Sequence, residues 1–326
     1  MLGLPLRRKQ FSVPSRHIRA KRPVAKATAR SLISKFGKLD MESIARRGII
    51  NGVAPILILL LLGSPAAAQN PTPKNSVLEN IALCNGIDRT SPEPQIDGCT
   101  AVIDSGEHTR AAAIAYNNRG DAYTAKADYD RAVQDFNRSI EINPTNAKPF
   151  NNRGVVYLKK GEYDLAIKDL DEAIRLNPDY AKAFVNRAET YQKKNEYDRA
   201  ARDYDEAIRL DPNLKAAWDG RCWTRAILGQ LQAALEDCNK ALQSQPTDAA
   251  TYDSRGLTYM KMGQFDSAID DYNSALRFEP KLASALYGRG LAKLKKGDKV
   301  GSDTDIAAAK KIQAKIGDDF TRYGVQ

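Results

Sequence analysis

The chain has 326 residues, 42% hydrophobic and 28% charged, with 50 Lys+Arg against 40 Asp+Glu and 2 His. These are globular proportions and exclude both wholesale disorder and a multi-span membrane protein. The net charge of +10 does not indicate nucleic-acid binding, because residues 1–40 alone carry 11 Lys+Arg and a single acid, Asp40, while the 258 residues after Ala68 hold 37 basic and 38 acidic side chains. A near-neutral body offers no clustered cations to release phosphate counterions.

The first element in chain order is an address. Arg46-Arg47 precedes an apolar run from Ile49 to Leu62, and Gly63-Ser64-Pro65 leads into Ala66-Ala67-Ala68-Gln69. A basic start, a short apolar core and a small-residue site predict a signal peptide over 41–68, cut between Ala68 and Gln69. The run is too short and interrupted for a comfortable membrane span, so no span is expected in the mature form. The alternative is an uncleaved anchor. Residues 1–40 are either a basic extension or upstream sequence ahead of a true start at Met41.

A strict period follows. Pro144, Pro178, Pro212, Pro246 and Pro280 stand 34 residues apart. Ala132, Ala166, Ala200, Ala234 and Ala268 hold a second phase, and Ser139, Ala173, Ala207, Ala241 and Ala275 a third. Tyr116, Phe150, Phe184, Trp218, Tyr252 and Leu286 are each followed four residues later by Gly120, Gly154, Ala188, Cys222, Gly256 and Gly290. Each unit reads as two helices, for instance 147–160 and 163–176. A small residue lets them approach, and a proline prevents continuation. The pattern resembles the tetratricopeptide repeat family. The resemblance implies an all-α, right-handed solenoid of antiparallel helix pairs with six units, 113–146, 147–180, 181–214, 215–248, 249–282 and 283–314. Residues 69–112 read as a diverged leading helical unit with a short insertion. The closing helix of the last unit is expected over 306–317, and 315–326 read as a C-terminal tail.

Two recurrences go beyond the period. Arg119, Arg153, Arg187, Arg221, Arg255 and Arg289 each precede an Asp by sixteen residues, namely Asp135, Asp169, Asp203, Asp237, Asp271 and Asp305. On facing antiparallel helices this spacing predicts one Arg–Asp pair per unit, satisfied internally rather than waiting for anions. Cys222 and Cys238 have the same separation, and Cys84 and Cys99 one residue fewer. Two disulfides, Cys84–Cys99 and Cys222–Cys238, are therefore expected, consistent with an oxidising compartment; four buried free thiols are the alternative. Zinc is disfavoured because the pairs sit in different units without Cys-x-x-Cys spacing.

No catalytic constellation is present in the sequence. Past the signal segment the one histidine is His108, beside Glu107 but without a nucleophile motif, and there is no phosphate loop, metalloprotease motif or calcium loop. No enzymatic activity, cofactor, metal or nucleic-acid partner is expected. The resemblance implies instead a concave groove lined by the first helix of each unit. Its early positions are polar, with Asn117, Asp121, Asn151, Lys159, Glu189 and Lys193. Its later ones, Trp223, Ile227, Leu257, Met260, Leu291 and Leu294, form an apolar strip that marks a partner site if open. Neighbouring helices or the tail are the alternative cover. The chaperone clamp of the family, which grips a terminal carboxylate, is not matched: Asn117 and Asp121 stand where it needs Lys and Asn, although Asn152 and Lys182 fit. The expectation is an exported, periplasmic scaffold that binds a protein or peptide of the envelope. The alternative is a membrane-tethered component of envelope biogenesis or polysaccharide export.

Overall fold

The computed structural model describes residues 75–87, 91–106 and 109–325, all within the unit Thr72–Gln326. The signal-like segment with Ala68 and Gln69, the Met41 question, Glu107 and His108 lie outside the described residues. Every regular element described is an α-helix. Seven helix pairs follow in order: α1 (Val77–Cys84) with α2 (Glu93–Asp104), α3 (Arg110–Ala125) with α4 (Tyr129–Ile142), and α5 (Ala147–Lys160) with α6 (Tyr163–Leu176). Next come α7 (Ala181–Lys193) with α8 (Tyr197–Leu210), α9 (Lys215–Ile227) with α10 (Leu231–Ser244), α11 (Ala249–Lys261) with α12 (Phe265–Phe278), and α13 (Ala283–Lys295) with α14 (Lys299–Ile312). A single short helix, α15 (Ile316–Arg322), closes the chain.

The sequence dictates where each helix stops. The residue before each repeat proline is driven out of the helical region by the ring that follows. Asn143, Asn177, Asp211, Gln245 and Glu279 accordingly have φ between −132° and −141° and ψ between 82° and 91°. Within a unit, the turn between helices needs one left-handed residue. Gly161, Gly229, Gly263 and Gly297 supply it, while Ala127 (φ 58°) and Asn195 (φ 60°) adopt the same conformation against their intrinsic preference.

Packing follows the small-to-large rule. A Cβ on Gly120 would meet the Phe136 ring at 2.7 Å, so the first helix of the unit can press on the second only because nothing projects there. In the unit of α9 and α10 a covalent bond replaces this contact: Cys222 and Cys238, both fully buried, are joined. Cys84 and Cys99 join α1 to α2 in the same manner. Each first helix also touches the next first helix along the stack, whereas successive second helices are not packed together. The first helices thus present one continuous face.

Each of the six expected Arg–Asp pairs is formed, and each is bidentate. Arg187 donates from Nε to Asp203 Oδ2 and from Nη2 to Asp203 Oδ1, both at 2.8 Å; the other five repeat this geometry. The remaining Nη1 reaches the preceding unit. It donates to Thr100, Asn137, Asp171, Asp205, Asn239 and Asn273 in turn, at 2.5–2.9 Å. Each guanidinium therefore ties three helices and is not free to bind an anion.

The end of the chain departs from expectation. The closing helix of the last unit is α14, ending at Ile312, rather than a helix over 306–317. Gln313 stops it with φ −137° and ψ 98°, the backbone geometry seen before the prolines, although Ala314 follows. Residues 315–326 are not simply a tail, because Ile316–Arg322 is helical and folds back onto the first-helix face.

Breaking a buried ion pair by removing one partner strands the other charge. Arg187→Ala is expected to destabilise the fold by about 3 kcal/mol, and adding Asp203→Leu to recover a large part of that loss; urea unfolding of wild type and the two variants measures it. Separately, Cys222→Ala with Cys238→Ala is expected to cost about 2–4 kcal/mol by freeing the unfolded chain, read by urea unfolding of this double variant against wild type, both without reductant.

Candidate functional site: the first-helix face

The first-helix face divides into two halves of opposite character. The early half holds an open pocket of about 840 Å³, to which α3, α5, α7 and α9 contribute. Its floor is a hydrogen-bonded ladder of asparagines. Asn118 donates to Asn85 (3.3 Å), Asn117 to Asn118 (3.3 Å), Asn152 to Asn117 (3.1 Å), Asn151 to Asn152 (3.0 Å) and Asn186 to Asn151 (2.8 Å). The run crosses four units without interruption. An amide carries two donors and two acceptor lone pairs, so a rung that gives one donor and takes one still has capacity toward the pocket. Charges border the ladder: Arg110, Lys148 and Lys182 on one side, Asp121 and Glu189 on the other.

The expected early residues fall as follows. Asn117 and Asn151 are buried rungs, Asp121 is exposed in the pocket, and Glu189 is half-buried, its carboxyl raised by burial against the pull of Lys193 and Lys159. Lys159 and Lys193 are exposed farther along the face, outside this pocket. The residues missed by sequence reading are Asn118 and Asn186; the doublets Asn117-Asn118 and Asn151-Asn152, one period apart, carried the signal.

The late half is apolar and filled from within. Leu257, Met260 and Leu291 are 5%, 5% and 8% exposed, and they belong to one cluster with Ile316, Phe320 and Val325. Trp223 and Ile227 pack against the same cluster. Phe320 lies 4.9 Å from the Tyr287 ring, and Tyr323 meets Trp223 edge-on at 5.2 Å. Lys261 Nζ donates to the carbonyls of Tyr323 (2.8 Å) and Ile227 (3.2 Å). Of the six strip residues only Leu294 is largely exposed, at 46%. The strip exists, but α15 covers it. Two of the covering anchors, Ile316 and Phe320, lie within the seven-residue helix, and Tyr323 and Val325 follow directly after it.

Between the halves lie carboxylates without a nearby guanidinium. Asp219 accepts from Ser254 Oγ at 3.5 Å and Asp253 from Ser284 Oγ at 2.6 Å. Burial raises both, and Asp253, further repelled by Asp219 and Glu279, is pushed up to about 7. Among the described residues no group of three or more His, Cys, Asp or Glu is placed to hold a metal.

With that geometry in place, the comparisons identify the repeat. The tetratricopeptide repeat profile matches residues 147–180 and 181–214, and the TPR repeat profile matches 120–161 and 256–297. The chain is a tetratricopeptide repeat protein. Its TPR stack superposes on a tetratricopeptide repeat protein from Parabacteroides merdae (TM-score 0.58, 18% identity, 76% of this chain and 99% of that one). It also superposes on a chain of the APC/C Cut9–Hcn1 hetero-tetramer (0.62, 16%, 76% and 52%) and on Pseudomonas aeruginosa pilF (0.55, 17%, 65% and 98%). At these identities the likeness is one of fold. No curated protein sequence matches the chain.

The raised carboxyl of Asp253 has a definite pH consequence. Between about pH 4 and 7 the folded chain keeps a proton that the unfolded chain has released, so this group's contribution to stability falls as pH rises through that window. Asp253→Asn should remove that slope and leave the TPR stack about 1–2 kcal/mol more stable at pH 8; thermal unfolding from pH 4 to pH 8 tests it.

Proposed function

We propose that this TPR protein is a non-enzymatic scaffold acting in an oxidising compartment outside the cytoplasm, where it takes an extended peptide segment of an envelope protein on its concave, first-helix face. The asparagine ladder carries the reading. An extended backbone offers alternating N–H and C=O groups at a regular rise, and a row of amides with spare donors and acceptors answers both without selecting a side chain. Arg110, Lys148 and Lys182 on one border with Asp121 and Glu189 on the other then favour segments of matched mixed charge. The two disulfides and the signal-like 41–68 segment support the compartment. No helix among the described residues is long and apolar enough to cross a membrane.

The test is photo-cross-linking in the native cell. A cross-linker at Ala216, exposed at the pocket border, is expected to give adducts from envelope proteins that fall at least tenfold in Asn151→Ala/Asn186→Ala. A cross-linker at Asp198, exposed on α8, is expected to give none of them. Adducts that survive the double substitution, or that form equally from Asp198, overturn the reading.

A further inference from the structure

We propose that the late half of the first-helix face is a second binding site, that α15 is its resident occupant, and that a partner helix carrying two aromatic residues three apart displaces it. The inference rests on the scaffold reading only for the existence of a partner; different residues carry it, remote from the asparagine ladder.

The occupant shows what the site accepts. Ile316, Phe320 and Tyr323 recur at the four- and three-residue steps that place side chains on one face of a helix. That face is inserted: Ile316 and Phe320 are each 3% exposed, Phe320 against Tyr287 and Tyr323 against Trp223. Val325, past the end of the helix, completes the cluster. The opposite face is polar, with Asp318, Thr321 and Arg322 exposed, and the ion pair of α15 is internal, between Arg322 and Asp319. The site therefore reads an apolar residue, an aromatic four residues on and a second aromatic three beyond that. Lys261, half-buried on the floor, adds one polar requirement, an acceptor beside the second aromatic, which Tyr323 meets with its carbonyl.

The attachment is suited to exchange. A helix of seven residues has no stability apart from its docking surface. Its connector, Gln313-Ala314-Lys315, is exposed throughout and allows α15 to swing away without unwinding α14. A polar cavity of about 450 Å³ separates it from α7 on one side, bordered by Gln192, Lys193, Asp253, Asp319 and Tyr323. The groove wall therefore does not close over α15. The site is built, complementary and held by a replaceable part of the same chain.

The probe is a synthetic peptide spanning residues 316–326, offered in trans to the full chain. Phe320→Ala/Tyr323→Ala in the protein loosens the resident helix and leaves the receiving residues intact. The peptide is expected to bind this variant at least tenfold more tightly than wild type, with Trp223 fluorescence reporting occupancy. A peptide with the same two alanines is expected not to bind. Equal affinity for variant and wild type, or equal binding of the alanine peptide, overturns the proposal. Hydrogen exchange on unmodified wild type gives an independent reading: α15 amides are expected to exchange at least a hundredfold faster than those of α13. Exchange at the same rate would make α15 part of the cooperative fold and end the proposal. Neither outcome bears on the Asn151/Asn186 experiment, so the two sites fail or succeed separately.

Discussion

One guanidinium per unit holds the stack in register. A helix pair alone cannot bury its apolar face, and apolar burial is indifferent to small rotations between units. The arginine on each first helix removes that indifference. Two of its donors lock a carboxylate on its own second helix, and the third reaches the second helix of the preceding unit, so adjacent units cannot rotate without breaking a charge-assisted bond. The cost of desolvating an ion pair is shared with aromatic rings: the guanidinium carbons of Arg119, Arg153, Arg187, Arg221 and Arg255 lie 4.9–5.7 Å from the ring three residues before each of them. The same residue thus fixes the fold within a unit and the pitch between units, and the first-helix face inherits its regular spacing from that lock.

Given this register, the core decides what the face can carry. The bulky second-helix residue of one unit points at a fixed position on the next first helix, sixteen residues later. Where that residue is Tyr204 or Tyr272, the position is Gly220 or Gly288, because a Cβ would sit 2.3–2.4 Å from the phenol ring. Where it is the shorter Phe136 or Leu170, the position is free to be Asn152 or Asn186. The asparagine ladder ends at Asn186 for this reason: the next rung would occupy the space of the Tyr204 hydroxyl. Polarity of the face is thus set one layer down, by side-chain length in the buried core.

This layering separates what was legible in the sequence from what was not. The period, the Arg–Asp partners and the paired cysteines all depend on spacings repeated within single units, and repetition makes a short spacing visible. The third partner of every arginine after Arg119 was also in phase, at Asn137, Asp171, Asp205, Asn239 and Asn273, but a position that is sometimes Asn and sometimes Asp looks like ordinary surface until the neighbouring unit is docked. The ladder was half visible, since Asn117 and Asn151 fall on groove positions while their bonding neighbours need the inter-unit geometry. Helix α15 was not legible: it stands outside the period, it is too short for propensity to declare itself, and its contacts run to residues such as Lys261, 62 positions away.

The placement of α15 gives the two halves of the face their different physics. An amide ladder is as well satisfied by water as by a peptide, so the early half stays open at little cost and gains from a ligand mainly through ordered hydrogen bonds. An apolar strip of Leu257, Met260 and Leu291 has no such option. Left bare it would drive association between chains, and a covering helix drawn from the same chain meets that need at high effective concentration. A cover this short, with no stability apart from the surface it docks on, protects the strip without sealing it. The polar half can therefore serve as a standing site, and the apolar half as a conditional one whose threshold is the docking energy of α15 and the residues that follow it.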